Sequence, residues 1–242
     1  MVDAVLFDWG HTLMDWVPEP ELLEAGHRAG LEALGRDDLP ELELVTARFR
    51  DTYLPALEAA VDTVDEVEYP DLVRRLLADV AVELDDEELD CFLDAEHAAW
   101  TPARRLGAHT HALLESLRSR GLKLGLVSNA FDPGWLLQRD LERMGVVERL
   151  DVAVFSSEVG KRKPHPLIFE RALEELDVEP ARSLFVGDSL YHDVGGAARL
   201  GMTTVQALWF RADERSGGAA PDFQAFTPMD VLNVVRRLNG EV

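Results

Sequence analysis

Four short apolar runs of this chain each end in residues able to do chemistry. Ala4–Phe7 is followed by Asp8, and Lys123–Val127 by Ser128 and Asn129. Val152–Phe155 leads into GKRKPHP, which carries Lys163, and Ser183–Val186 leads into Gly187-Asp188-Ser189, with Asp193 shortly after. Any one of these residues is common at a strand end as a turn former or helix cap. Together they are complementary. A carboxylate such as Asp8 can attack phosphorus and form an acyl phosphate, dividing one difficult hydrolysis into two easier steps. Attack between two anions requires neutralisation, which Mg²⁺ held by the hard oxygens of Asp8, Asp188 and Asp193 supplies. Lys163 and the Ser128 hydroxyl complete a clamp on the phosphoryl oxygens. Pro166 suits the first turn of a helix, so Lys163 lies just before a helix start, where anions are favoured.

Elements able to position such groups are legible in the hydrophobic pattern. A fifth run, Thr203–Ala207, joins the other four, and the length and β-branched content of all five predict strands. Helical stripes separate the last four, as in Trp135, Leu136, Leu141 and Met144, or Ile168, Phe169, Ala172, Leu173 and Leu176, and Leu113, Leu114 and Leu117 precede the second run. Alternating strands and helices predict an α/β fold with a doubly wound parallel sheet. Ligands of such sheets bind beyond the carboxyl ends of the strands, where the reactive residues fall. The first two strands are separated by a stretch that reads as helix throughout, with a stripe at Leu72, Val73, Leu76, Leu77 and Val80 and a helix over Asp85–Trp100. Pro18, Pro20 and Pro102 punctuate its ends. The expected organisation is a core of residues 1–15 and 105–242 with an all-helical insert at 16–104. Asp213–Pro221 is expected as a loop before a last helix, Pro228–Leu238.

The segments FDWGHTL, LVSN, KPHP and VGDSLYHDVGGAARLGM, in this order and spacing, resemble the four motifs of the haloacid dehalogenase (HAD) superfamily. The resemblance spans the expected core. It implies a Rossmann-like sheet, Asp8 as nucleophile, Ser128 and Lys163 as phosphoryl ligands, and Asp188 with Asp193 on Mg²⁺. A helical insert between the first two motifs resembles the family's C1 cap, which closes over the site and selects substrate. Asn129, at the end of the second run, and His11, in the loop after the first, are further candidate substrate contacts, and the Gly10 carbonyl is a candidate metal ligand that needs no side chain.

One position departs from the pattern. Phosphatases of the family usually read D-x-D-G-T, where the second Asp protonates the leaving group; here the stretch is Asp8-Trp9-Gly10-His11-Thr12. General acid/base help is worth about 10²–10⁴-fold. His11 is the candidate substitute, because imidazole titrates near neutrality. Family dehalogenases also lack the second Asp, so a 2-haloacid dehalogenase-like hydrolase is an alternative, as is a binding or regulatory protein with impaired catalysis. The retained pair Asp188/Asp193 favours phosphoryl transfer. Family phosphonoacetaldehyde hydrolases use a cap lysine, and residues 1–122 contain none.

The formal charge of −22 is concentrated between residues 19 and 99, which hold 24 Asp/Glu against six Arg and no Lys. Such a surface repels nucleic acid and anionic membranes, so neither is an expected partner. No apolar run approaches the ~18 residues of a bilayer span. The opening MVDAVLFDWGHTL lacks signal-peptide features, and the sole cysteine, Cys91, has no internal partner. A soluble cytoplasmic enzyme acting on a small phosphorylated substrate is expected, of undetermined oligomeric state. Cys91, beside Phe92 and Leu93, is expected to pack internally, and His27 and His97 to be surface or satisfied core residues. Trp9 and Trp16 are expected to line the site or pin its loop to the insert. Of the two neighbouring lysines, Lys163 is preferred to Lys161 because only Lys163 precedes the motif's proline.

Overall fold

Strand β1, Ala4–Phe7, consists of four residues with no solvent exposure at all, so both of its faces must be covered. The computed structural model, which describes residues 1–61, 63–211 and 218–241, covers them with helices on either side of a six-stranded sheet. Of the expected loop Asp213–Pro221, residues 213–217 lie outside the described residues.

Two short strands, β2 (Met14–Trp16) and β3 (Arg104–Leu106), pair antiparallel as a separate ribbon. The remaining strands are β4 (Lys123–Ser128), β5 (Val152–Phe155), β6 (Ser183–Gly187), β7 (Thr203–Ala207) and β8 (Phe223–Ala225). The sheet order is β5-β4-β1-β6-β7-β8, with every pairing parallel. Successive residues of a strand point to opposite faces. Accordingly, Val5 and Phe7 of β1 join one core with helices Thr110–Arg118, Gly134–Arg143 and Asp230–Asn239, while Ala4 and Leu6 join another with helix Pro166–Leu176. The α/β doubly wound expectation is met. The strand β8 was not expected: three residues, FQA, show no period of their own.

Between β2 and β3 the chain is helical, with Glu21–Ala33, Leu42–Arg48, Leu54–Val61, Tyr69–Ala78 and Asp86–Ala99 as its α-helices. They bury their own cluster, including Leu31, Phe49, Leu72, Leu76 and Phe92, to which the sheet domain adds Leu136. Helices Glu21–Ala33 and Asp86–Ala99 approach closely at Gly30, where a Cβ would lie 2.6 Å from the Phe92 ring. The second of these starts on a capping box, Asp85 with Glu88. Its buried residues are Leu89, Phe92, Leu93, Glu96 and His97. That periodicity turns Cys91 outward, so the expectation that it packs internally is wrong: it is exposed. No helix among the described residues is long and apolar enough to cross a membrane.

Candidate active site

Because β1, β4 and β6 are adjacent and parallel, their carboxyl ends open on one edge of the sheet. Asp8 leaves β1 with its backbone N–H bonded to Val186 O at 2.9 Å. Its side chain is buried, and so are those of Lys163, Asp188 and Asp193. Lys163 arrives from the loop after β5, and its Nζ lies 2.6 Å from Asp8 Oδ1, 2.7 Å from Asp193 Oδ1 and 2.8 Å from Val127 O. One carboxylate oxygen from each of Asp8, Asp188 and Asp193 lies within 4.8 Å of the others. Asp193 Oδ2 accepts from the Ser189 N–H at 3.0 Å, which fixes the carboxylate against the strand end. The fit leaves no room at Gly187, where a Cβ would stand 2.4 Å from the Asp193 carboxyl carbon.

Three buried carboxylates face a single buried ammonium, and their proton affinities reflect it. Burial pushes the Asp8 carboxyl up to about 6, with the Lys163 ammonium opposing and the Asp193 charge reinforcing the shift. Burial, and then the charges of Asp8 and Asp193, push Asp188 up to about 8. Burial alone lowers the Lys163 ammonium, but Asp193 and Asp8 outweigh it and hold Lys163 above its ordinary value. Such a cluster suits a small hard dication, which relieves the repulsion that Lys163 relieves only in part.

Ser128 ends β4 and is buried. Asn129 does something the sequence did not suggest. Its Oδ1 accepts from the Lys163 N–H at 2.7 Å and its Nδ2 donates to Lys163 O at 3.2 Å, so both ends of its amide are engaged in holding the lysine's backbone. Thr12 Oγ1 donates to Asp8 Oδ2 at 3.4 Å. His11 adopts φ 57°, a left-handed conformation that favours glycine, and its Nδ1 pairs with Asp15 Oδ1 at 3.3 Å. Burial and the nearby Arg211 lower its proton affinity against the pull of Asp15. At Gly10 a Cβ would meet nothing within 4 Å.

Four further residues, Arg211, Glu66, Arg162 and Ser156, went unnoticed in the sequence. Arg211 donates to Asp188 Oδ2 at 3.4 Å. Glu66, from the helical insert, pairs with Arg162 at 2.6 Å and accepts from the Ser156 hydroxyl. Ser156 Oγ in turn accepts from the Ala130 N–H at 2.8 Å, and Arg162 N donates to Val64 O at 2.8 Å. The insert is therefore tied to both loops that carry Ser128 and Lys163. Lys161 belongs to this seam, paired with Asp65 at the surface, and is not at the carboxylate cluster. Trp9 is buried in the core, and Trp16 stacks on Trp100 of the insert with centroids 5.6 Å apart. His27 and His97 both lie in the interior: His97 is satisfied by Asp132 and Asp140, whereas His27 pairs with Thr46 through Nδ1 and its buried Nε2 makes no hydrogen bond among the described residues.

Comparison with known proteins agrees with this geometry. The family model for haloacid dehalogenase-like hydrolases matches residues 2–201. A glyceraldehyde 3-phosphate phosphatase of Methanopyrus kandleri is 32% identical over 246 aligned residues, covering 98% of this chain and 99% of the relative. A phosphoglycolate phosphatase of Aquifex aeolicus is 33% identical over 122 residues, covering 50% of this chain and 55% of the relative. Among solved structures, a HAD phosphatase from Thermococcus onnurineus superposes with a TM-score of 0.66 at 25% identity, covering 97% of this chain and 98% of that one. A 2-haloacid dehalogenase from Pseudomonas syringae pv. Tomato shares the fold, with a TM-score of 0.69 at 22% identity over 98% of this chain and 100% of the other. A family model spanning most of its length and a relative similar from end to end establish that the chain belongs to the haloacid dehalogenase-like hydrolases.

Proposed function

We propose that the chain is a Mg²⁺-dependent phosphatase of small phosphorylated metabolites, acting through an aspartyl-phosphate on Asp8. The observation that carries this reading is the bridge of Lys163 Nζ between Asp8 Oδ1 and Asp193 Oδ1, at 2.6 and 2.7 Å, beside Asp188. Asp8, Asp188 and Asp193, with the Gly10 carbonyl, would hold Mg²⁺, which supplies charge neutralisation at the phosphoryl oxygens when bound.

The chain's own residues divide the remaining work. Asp8 Oδ1 pairs with the lysine, so Oδ2, which accepts a long hydrogen bond from Thr12 Oγ1 at 3.4 Å, makes the attack. Attack forms an Asp8–phosphorus bond, breaks the bond to the leaving alkoxide, and is followed by water attack that restores the carboxylate and releases phosphate. Lys163 orients Asp8 and neutralises phosphoryl charge, and Ser128 donates from the neighbouring strand end. Asn129 positions Lys163 through its backbone. No side chain at position ten protonates the leaving group, so turnover should depend on leaving-group acidity. The helical segment 16–104 acts as the cap over the site, joined through the β2–β3 ribbon.

Hydrolysis of a phosphate-ester panel with Mg²⁺ tests the reading, alongside Asp8→Asn and EDTA. Turnover lost in both conditions, with a base-labile phosphoenzyme trapped in the wild type, is expected. Undiminished turnover in Asp8→Asn refutes it. The dehalogenase alternative draws on the missing acid at position ten, and chloride release from 2-chloropropionate in EDTA would favour it.

A further inference from the structure

A cavity of about 540 Å³ lies beneath the helical insert, away from the carboxylate cluster but walled by its two loops. Trp16 reaches it from the ribbon that follows the Asp8 loop, and Phe131 with Asp132 from the loop that follows Ser128. Its volume falls in the range of small-molecule sites. Aromatic and aliphatic side chains make most of the wall, with Leu23, Leu54 and Leu57 contributed by the insert. The Tyr69 and Phe131 rings pack across the seam with centroids 4.9 Å apart, and Phe131 stays partly exposed at 36%.

Of the polar groups in the wall, Arg104, His97, Asp132 and Glu96 are already committed, and Glu19 and Glu58 add carboxylates that do not favour an anionic ligand. Arg104 lies 3.3 Å from Asp140 and donates to His97 O at 2.9 Å, while His97 is held between Asp132 at 2.8 Å and Asp140 at 3.0 Å. Glu96 accepts from the Tyr69 hydroxyl at 3.0 Å, and its burial keeps the carboxyl protonated near neutrality. Both cations lining the cavity are thus neutralised, so a carboxylate or second phosphate entering it meets no free positive partner among the described lining residues. An apolar group loses nothing on entry.

We propose that this cavity receives the organic end of the substrate, and that this end is an uncharged apolar ring or chain of an aryl or alkyl phosphate rather than a short hydroxy-acid or sugar. The proposal rests on the phosphatase reading above. For the aryl esters it also fits the bare Gly10, because an aryloxide departs without a proton donor more easily than an alkoxide.

Phenyl phosphate and 4-butylphenyl phosphate release phenols of similar acidity, so a difference between them reports binding of the butyl group. With Mg²⁺, kcat/KM for the butyl compound should exceed that for phenyl phosphate by at least about tenfold, since each buried methylene adds several-fold. Leu57→Asp should abolish the ratio, while Leu57→Met should preserve it. Equal kcat/KM values for the two esters in the wild type, or a ratio that survives in Leu57→Asp, would overturn the proposal and leave the phosphatase reading intact. Should neither ester be hydrolysed while other esters of the panel are, the proposal falls and the phosphatase reading stands; should no ester be hydrolysed, the phosphatase reading falls and calorimetry with 4-butylphenol decides the cavity separately. Binding by the wild type that is lost in Leu57→Asp supports an apolar site; no binding by the wild type refutes it.

Discussion

Lys163 Nζ stands 2.6 Å from Asp8 Oδ1, with both side chains buried, although the two residues are 155 positions apart in sequence. The pair is the contact on which the charge balance of the site turns. Lys163→Met leaves three buried carboxylates with the half-exposed Arg211, 3.4 Å from Asp188, as their neighbouring cation, and losing one partner of a buried pair costs about 3–5 kcal/mol. Turnover should fall by about 10²–10³-fold, with loss of stability that Mg²⁺ partly restores. Denaturant unfolding with and without Mg²⁺ checks this, and a Lys163→Met protein as stable and active as the wild type would contradict it.

The Gly187–Asp193 contact makes a sharper geometric prediction. A methyl group at Gly187 would come within 2.4 Å of the Asp193 carboxyl carbon, which lies close to the backbone and cannot swing far. Gly187→Ala should destabilise by about 1–3 kcal/mol and weaken Mg²⁺ binding. A Mg²⁺ titration of the variant that matches the wild type would show that the strand end can yield.

Position ten offers the opposite case. Space for a side chain is open at Gly10, so Gly10→Asp should fold without penalty and raise turnover on aliphatic phosphates by up to about 10²–10⁴-fold. His11→Ala tests the imidazole as the substitute acid, and unchanged turnover removes it from that role. His11→Gly should be neutral to slightly stabilising, because φ 57° costs a non-glycine residue about 1–2 kcal/mol and glycine's flexibility offsets part of that.

The seam between insert and core separates a buried from an exposed ion pair. Glu66 is 1% exposed and Arg162 10%, whereas Asp65 and Lys161 are 72% and 36% exposed. Glu66→Ala should cost about 3–5 kcal/mol and lower turnover by loosening the loops of Ser128 and Lys163. Lys161→Ala should cost at most about 1 kcal/mol. Equal effects from the two substitutions would show that the seam does not position those loops.

Glu96 should make stability depend on pH in a defined window. Its folded carboxyl is pushed by burial up to about 8 from an ordinary 4.5, so between these values the folded protein binds a proton that the unfolded chain has lost. Stability contributed by Glu96 is therefore fully present below about 4.5 and is lost as pH rises through 8, at no more than about 1.4 kcal/mol per unit. His27 acts with the opposite sign: burial lowers it to about 4 from 6.5, so its contribution grows as pH rises over that range. The two effects oppose each other at acid pH, which leaves a net fall between about 6.5 and 8. Asp188, also pushed up to about 8, adds a fall of the same sign, so Glu96→Gln should lessen the fall rather than remove it, as chemical denaturation at pH 6 and pH 8 will reveal; an unchanged slope would refute the assignment.

Residue identity alone determined a good deal about this protein. The runs AVLF and KLGLV read as strands from their length and apolar composition, and Asp8 and Ser128 stand directly after them in the sequence. Short-range chemistry of this kind depends on neighbours within a few positions, which a sequence displays directly. Other features required the folded chain. That Asn129 holds the Lys163 backbone, that Glu66 ties the insert to two loops, and that Cys91 faces outward all depend on which surfaces the helices turn toward one another. The three-residue β8 forms because β7 already offers an open edge, not because FQA prefers to be extended. Most of all, the proton affinities of Asp8 and Asp188 come from burial and mutual repulsion, which exist only once distant strand ends meet.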